Sequence, residues 1–174
     1  MSCDKTIIDL DISIRPARTD DLEDLRTLDH KVFGELAYPP FVLRQMFDVY
    51  QDCWLVADDP SGGLAGYSLG APTLDRKLAW LLGLAVAPEC RKLGIGERLT
   101  LESLELLRSF EVPMVYLTVE PGNEVAIALY RRVGFVVTEL RRAYLGPGED
   151  RVIMARTLAR NTAIPTPRPI SGSR

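Results

Sequence analysis

Cysteine is scarce in this sequence, histidine scarcer, and no apolar run approaches the length of a membrane span. Cys3, Cys53 and Cys90 are odd in number and widely spaced, so neither a disulfide framework nor a zinc site is expected, and they read as reduced, mostly buried thiols. No metal is expected elsewhere. The first residues include Asp4, Lys5, Asp9 and Asp11 and lack the apolar core of a signal peptide, which points to a soluble, cytoplasmic protein. A net charge of only −3 gives no general attraction to nucleic acid or to an anionic membrane. A local basic patch can still hold phosphate. Internal repeats are absent as well. What is present is apolar residue enough for one sizeable core: 47% of 174 residues, about one domain.

The elements alternate in type along the chain. Ile8, Leu10, Ile12 and Ile14 recur at period two and predict a half-buried strand over 8–16, ended by Pro16. Thr19-Asp20-Asp21 offers an N-cap and first-turn carboxylates, and Leu22, Leu25, Leu28 and Val32 continue as an amphipathic helix over 20–33. Tyr38-Pro39-Pro40 interrupts before a second helix over 41–50. Trp54–Ala57 and Leu64–Leu69 pair as strands across the turn residues 58–63. Leu78–Val86 is almost wholly apolar and reads as a central strand buried on both faces.

After Pro88 and a glycine loop comes a helix from about Gly96 to Phe110, then a buried strand, Met114–Val119. Pro121-Gly122 turns into a helix over 123–133 that Gly134 closes as a C-cap. Phe135–Leu145 and Arg151–Leu158 are two last strands around Gly146-Pro147-Gly148. Residues 160–174, rich in Pro, Ser, Thr and Arg, read as a disordered tail. A single α/β domain over 8–159 with a mixed sheet results.

The chemistry is expected where the central strand meets the loop Arg91-Lys92-Leu93-Gly94-Ile95-Gly96. Gly94 and Gly96 let the backbone come close to a ligand, and the following helix presents unpaired N–H groups and a positive dipole end. With Arg91 and Lys92 beside them, these groups make an anion site suited to a diphosphate. No Gly-Lys-Ser/Thr follows, so this is not a Walker loop. Leu99 holds the third glycine position, so the dinucleotide fingerprint is also incomplete.

The stretch Val86-Ala87-Pro88-Glu89-Cys90-Arg91-Lys92-Leu93-Gly94-Ile95-Gly96-Glu97-Arg98-Leu99 resembles the acetyl-CoA signature of the Gcn5-related N-acetyltransferases (GNAT), Arg/Gln-x-x-Gly-x-Gly/Ala. Val115–Val119 followed by Asn123-Glu124-Val125-Ala126-Ile127-Ala128-Leu129-Tyr130, with the exit Gly134-Phe135, resembles the same family's strand, Asn-x-x-Ala-x-x-Leu-Tyr helix and Gly-Phe exit. Within the family the chain resembles the polypeptide N-terminal branch, which includes ribosomal-protein alanine acetyltransferases. The pattern spans about residues 12–158. It implies one GNAT-like domain: a central mixed, mostly antiparallel, splayed sheet flanked by helices.

The resemblance also implies roles. Leu84, Ala85 and Val86 would run along the pantetheine arm of acetyl-CoA, and Lys92 to Glu97 would cradle its pyrophosphate. Asn123 and Tyr130 share a helix face. By resemblance Asn123 contacts acetyl-CoA, a role compatible with N-capping, and the Tyr130 phenol protonates the departing thiolate; a core tyrosine is the other reading. Relatives often carry a base, Glu or His, where this chain has Thr118, which cannot serve. Glu120 lies two residues on, on the same strand face if the strand persists, and is either the base, directly or through water, or a solvated loop carboxylate. His30, the only histidine, reads as a solvent-facing or helix-capping residue. Phe33, Glu35 and Tyr38 fall in the segment 32–41 and Tyr144 in 141–150, where the family builds its acceptor pocket. A loop packing Phe33 and Tyr38 into the core explains that segment equally. The expected activity is direct acetyl transfer to a primary amine, a peptide or protein N-terminus being favoured. A small-molecule amine acceptor (amino acid, polyamine or aminoglycoside-like) and a catalytically silent acyl-CoA-binding member are the alternatives. The expected assembly is a monomer or homodimer.

Overall fold

The central sheet is built around a stripe of small residues on one strand. The computed structural model describes residues 12–158, with strands β1 (Ile14–Pro16), β2 (Trp54–Asp58), β3 (Leu64–Pro72), β4 (Ala79–Val86), β5 (Met114–Val119), β6 (Val136–Arg141) and β7 (Arg151–Thr157). The helices are α1 (Leu22–Phe33), α2 (Pro40–Tyr50), α3 (Ile95–Ser109) and α4 (Glu124–Arg132). On β3, Gly66, Ser68 and Gly70 face α3. A Cβ at Gly66 would stand 2.9 Å from Leu99 Cδ1 and one at Gly70 3.1 Å from Leu107 Cδ2, while the Ser68 and Ser103 hydroxyls bond at 2.6 Å. The small side chains let α3 lie close against the sheet. The alternate residues Tyr67 and Leu69 pack in the cluster that holds Leu25 and Leu28 of α1 and Leu43 and Phe47 of α2. The layers are thus α1 and α2, sheet, then α3 and α4, with α4 covering Val115, Leu117 and Met154 through Tyr130 and Val133.

The strand order is β1-β2-β3-β4-β5-β7-β6, antiparallel except for β4 beside β5. The mixed, mostly antiparallel sheet is therefore present. The parallel pair is short: only Ala79–Leu81 match Val115–Leu117. Beyond Leu81, β4 continues with β3 alone, as far as Val86 opposite Gly66, and β5 continues with β7 alone, as far as Val119 opposite Val152. The sheet divides there into two leaves. This also corrects the reading of β4 as buried on both faces. Its residues alternate, and Leu82 is 37% exposed, because the gap removes the neighbour that would cover it.

Other departures are local. Ile8 and Leu10 lie outside the described residues, and β1 starts only at Ile14. Thr19 does not cap α1 through its side chain; instead the Asp21 carboxylate accepts the Arg18 N–H at 2.6 Å and both Arg15 terminal nitrogens. Arg15 also bonds Asp58 at 2.8 and 2.9 Å, tying β1 to the end of β2. The strand expected over 135–145 ends at Arg141, because Ala143 turns the chain at φ 50° and gives its N–H to Asp150 at 2.8 Å. The tail expected over 160–174, and Cys3, lie outside the described residues. Cys53 and Cys90 are buried free thiols, and among the described residues no helix is long and apolar enough to cross a membrane.

Candidate active site

The gap between the leaves has a distinct backbone chemistry. Ala87 donates its N–H to Ala65 at 2.9 Å, so Ala87–Ala65 is a hydrogen-bonded pair of the antiparallel ladder. Such pairs alternate. Ala85 opposite Tyr67 is then also bonded to β3, whereas the N–H and C=O groups of Leu84 and Val86 point away from β3 into the gap. Of the three residues expected along the cofactor, Leu84 and Val86 have backbone groups free toward the gap, while the backbone of Ala85 is engaged with β3.

The loop after β4 delivers a helix start beside that edge. Lys92 and Gly94 have φ 65° and 78°, and α3 begins at Ile95 with Gly94 as N-cap and no side-chain cap. Its first intrahelical bond is Arg98 N–H to Gly94 O at 3.0 Å, which leaves the N–H groups of Ile95, Gly96 and Glu97 at a positive dipole end. Arg91, Lys92, Leu93 and Gly94 are exposed, and among the described residues Arg91 and Lys92 have no ion pair. Glu97 turns its carboxylate to Arg132 of α4 at 3.3 Å, so only its backbone faces the loop. These uncapped donors and free cations fit a diphosphate.

Gly96 also has a packing role. A Cβ there would stand 3.1 Å from Leu129 Cδ1, 3.5 Å from Val86 Cγ2 and 4.0 Å from Leu84 Cδ2. The missing side chain leaves room for α4 and β4 to converge. At Gly94 a Cβ would meet nothing, so its requirement is the positive φ alone.

Tyr130, the next residue after Leu129, belongs to the cluster against which Leu84 and Leu129 pack. Tyr130 is 8% exposed, its ring meeting Phe135 edge-on at 5.8 Å. Among the described residues its hydroxyl has no protein partner, and the only fully buried side-chain polar atom without one is Trp54 Nε1. The Tyr130 hydroxyl therefore reaches accessible space. Burial pushes its phenol above the ordinary range, so it stays protonated at any physiological pH. Asn123 caps α4, its side-chain oxygen accepting the Ala126 N–H at 3.1 Å, and it remains exposed.

Glu120 does not continue the strand. β5 ends at Val119, and the Glu120 carbonyl accepts the Asn123 N–H at 3.0 Å to close the turn into α4. The same-face argument from Thr118 therefore fails, and Glu120 stands exposed on the loop. Thr118 is half-buried opposite Ile153.

On the other side of the gap, Tyr38 gives its hydroxyl to the Leu82 carbonyl at 3.2 Å. Phe33 and Glu35 are exposed at the end of α1 and in the turn after it, and no contact joins Glu35 to the other candidates. Tyr144 is half-buried over the Trp80, Tyr116 and Ile153 cluster, with the Arg141 guanidinium 5.9 Å from its ring. His30 is exposed and beside an open cleft of about 460 Å³ that Tyr38 also lines. Among the described residues no cluster of three or more His, Cys, Asp or Glu is arranged to hold a metal ion.

Two contributors escaped the sequence reading. Asp29 is 1% exposed and accepts the Tyr38 N–H at 2.6 Å and the Tyr67 hydroxyl at 2.5 Å. The signal for it was present, since position 29 falls on the buried stripe with Leu25, Leu28 and Val32, where a carboxylate does not belong without a reason. Gly83 within an apolar strand was the other.

The model of the acetyltransferase (GNAT) family matches residues 19–135. An N-alpha-acetyltransferase of Sulfurisphaera tokodaii is 29% identical over 157 residues, covering 83% of this chain and 92% of its own. A [ribosomal protein bS18]-alanine N-acetyltransferase of Salmonella typhimurium is 33% identical over 109 residues, 61% of this chain and 70% of its own. Among solved structures, a phosphinothricin acetyltransferase of Sinorhizobium meliloti in complex with AcCoA superposes with a TM-score of 0.75 at 22% identity, covering 92% of this chain and 96% of that one.

Proposed function

Because the chain belongs to the acetyltransferase (GNAT) family, we propose that it moves an acetyl group from acetyl-CoA to a primary amine, the N-terminus of a peptide or protein being the favoured acceptor. The observation that carries this reading is the parting of β4 from β5 after Leu81, beside an uncapped helix start and an unpartnered tyrosine hydroxyl. The names of the relatives, N-alpha-acetyltransferase and ribosomal-protein alanine N-acetyltransferase, support the choice of acceptor.

Bound acetyl-CoA supplies the acyl carbonyl and the sulfur leaving group. The Leu84 and Val86 backbone groups pair with its amide-bearing arm. The N–H groups at the start of α3, with Arg91 and Lys92, hold its diphosphate. A neutral amine nitrogen forms the C–N bond as the C–S bond breaks. The proton lost by nitrogen on amide formation balances the one the thiol gains. Burial keeps the Tyr130 phenol protonated; it gives a proton to the departing sulfur and is restored by the proton that the nitrogen releases. Ammonium acceptors lose their proton first, to solvent or through Glu120 and water.

The test is a panel of N-terminal peptides and small amines incubated with the protein and isotopically labelled acetyl-CoA, read by mass spectrometry. Label on peptide α-amines is the expected result. Label confined to small amines overturns the acceptor assignment, and acetyl-CoA binding without any product indicates a silent binding protein.

A further inference from the structure

Asp29 is a buried carboxylate with no cation paired to it among the described residues. Burying a charge in this way is costly unless hydrogen bonds compensate. Desolvation pushes its carboxyl above the usual range, and the bonds from Tyr67 and Tyr38 work against that rise. Its two partners lead to the site from opposite directions. Tyr67 crosses beneath β4 to reach it, and only a glycine leaves room: a Cβ at Gly83 would stand 3.0 Å from Tyr67 Cε2 and 3.1 Å from its Oη. Tyr38, on the α1–α2 connection, gives Asp29 its backbone N–H and gives Leu82 its hydroxyl. Leu82 is the bulged residue of β4, skipped between the Gly83–Leu69 and Leu81–Gly70 pairs, and it is the first residue beyond the contact with β5.

We propose that Asp29 is a positioning residue: braced by Tyr67, it fixes the backbone of Tyr38 so that the α1–α2 connection stands against Leu82 and forms the acceptor-side wall of the gap. The proposal rests on the acyltransferase reading for the word acceptor, and on geometry alone for the anchor. Asp29 acts through Tyr38 and touches no substrate itself. It therefore governs acceptor affinity and leaves the diphosphate cradle untouched, since that cradle is on the opposite face of β4 with α3.

Three variants test this. Asp29→Ala removes both acceptors. Asp29→Asn can keep both contacts, its oxygen accepting the Tyr38 N–H and its amide donating to the Tyr67 oxygen. Tyr67→Phe removes the brace and keeps the ring. Hydrogen exchange at the Tyr38 amide should quicken on the order of tenfold in Asp29→Ala, less in Tyr67→Phe, and little in Asp29→Asn. With the peptide that the parent acetylates fastest, acceptor KM should rise in the same order, with kcat and the KM for acetyl-CoA near parental values. Unchanged Tyr38 exchange in Asp29→Ala overturns the anchor. Both KM values rising together would mean general loosening, and failure of Asp29→Asn to restore acceptor KM would mean that the charge itself matters; either overturns the positioning role. Should Asp29→Ala not fold, Tyr67→Phe and Asp29→Asn carry the same comparison. If the parent acetylates no amine, the functional reading fails, while Tyr38 exchange still decides the anchor.

Discussion

The two loop glycines should respond differently to alanine. At Gly94 the backbone has φ 78° and an added Cβ meets nothing. The cost of Gly94→Ala is therefore conformational, about 1–2 kcal/mol, which for a domain of this size lowers Tm by roughly 2–8 °C. At Gly96 the conformation is helical, and the new Cβ would stand 3.1 Å from Leu129 Cδ1, a terminal methyl that can yield by a few tenths of an ångström. Replacing a helical glycine by alanine contributes up to about 1 kcal/mol, which offsets that crowding and leaves Gly96→Ala within about 1 kcal/mol of the parent. Gly96→Val forces further methyls against Leu129 and Val86 and should cost about 1–3 kcal/mol. Ligand binding should follow the same division. The Gly94 methyl projects into open space at the start of α3 and should weaken acetyl-CoA, whereas the Gly96 methyl points to α4 and should spare it. Urea denaturation and calorimetric titration with acetyl-CoA measure the two effects separately. A Gly96→Ala protein of parental stability that had lost acetyl-CoA affinity would refute the packing role given to this glycine.

Tyr130→Phe removes a hydroxyl with no protein partner, so stability should change by no more than about 0.5 kcal/mol, while turnover falls about a hundredfold; equal single-turnover rates would reduce Tyr130 to a packing residue. The Arg15 guanidinium bonded to Asp21 holds that carboxyl below the usual range, against the opposing effect of burial. A depressed pKa stabilises the fold above the unfolded value of about 3.9 and that contribution disappears as pH falls through the folded value. Asp21→Asn should therefore lie below the parent by about 1–3 kcal/mol at pH 7, and the difference should shrink when denaturation is repeated near pH 3. For Glu120→Gln, kcat/KM should climb with pH toward about 8, the pKa of an α-amine, as in the parent; a parental plateau well below that pH, absent in the variant, would make Glu120 the base.

Much of the candidate site could be read directly because its signals are local. A turn, a glycine with positive φ and an uncapped helix start depend on a few consecutive residues, so the loop before α3 and the Asn123 cap of α4 were recognisable where they stand. So were the four helices, whose apolar periodicity reports burial against whatever lies beneath. Residues far apart in the chain escaped that kind of reading. An apolar run such as 78–86 cannot say whether its neighbour stays beside it, and only the separate pairing of β4 with β3 and of β5 with β7 opens the gap. The packing role of Gly96 depends on Leu129, from another helix, which stands 3.1 Å from where its Cβ would be. The partners of Asp29 are nine and 38 positions away, and no periodicity encodes who will satisfy a buried carboxylate. The glycine loop, the helices and the Asn123 cap were determined by the sequence alone; which groups face one another across the gap was decided by tertiary packing, because complementarity between distant side chains exists only once the chain has folded.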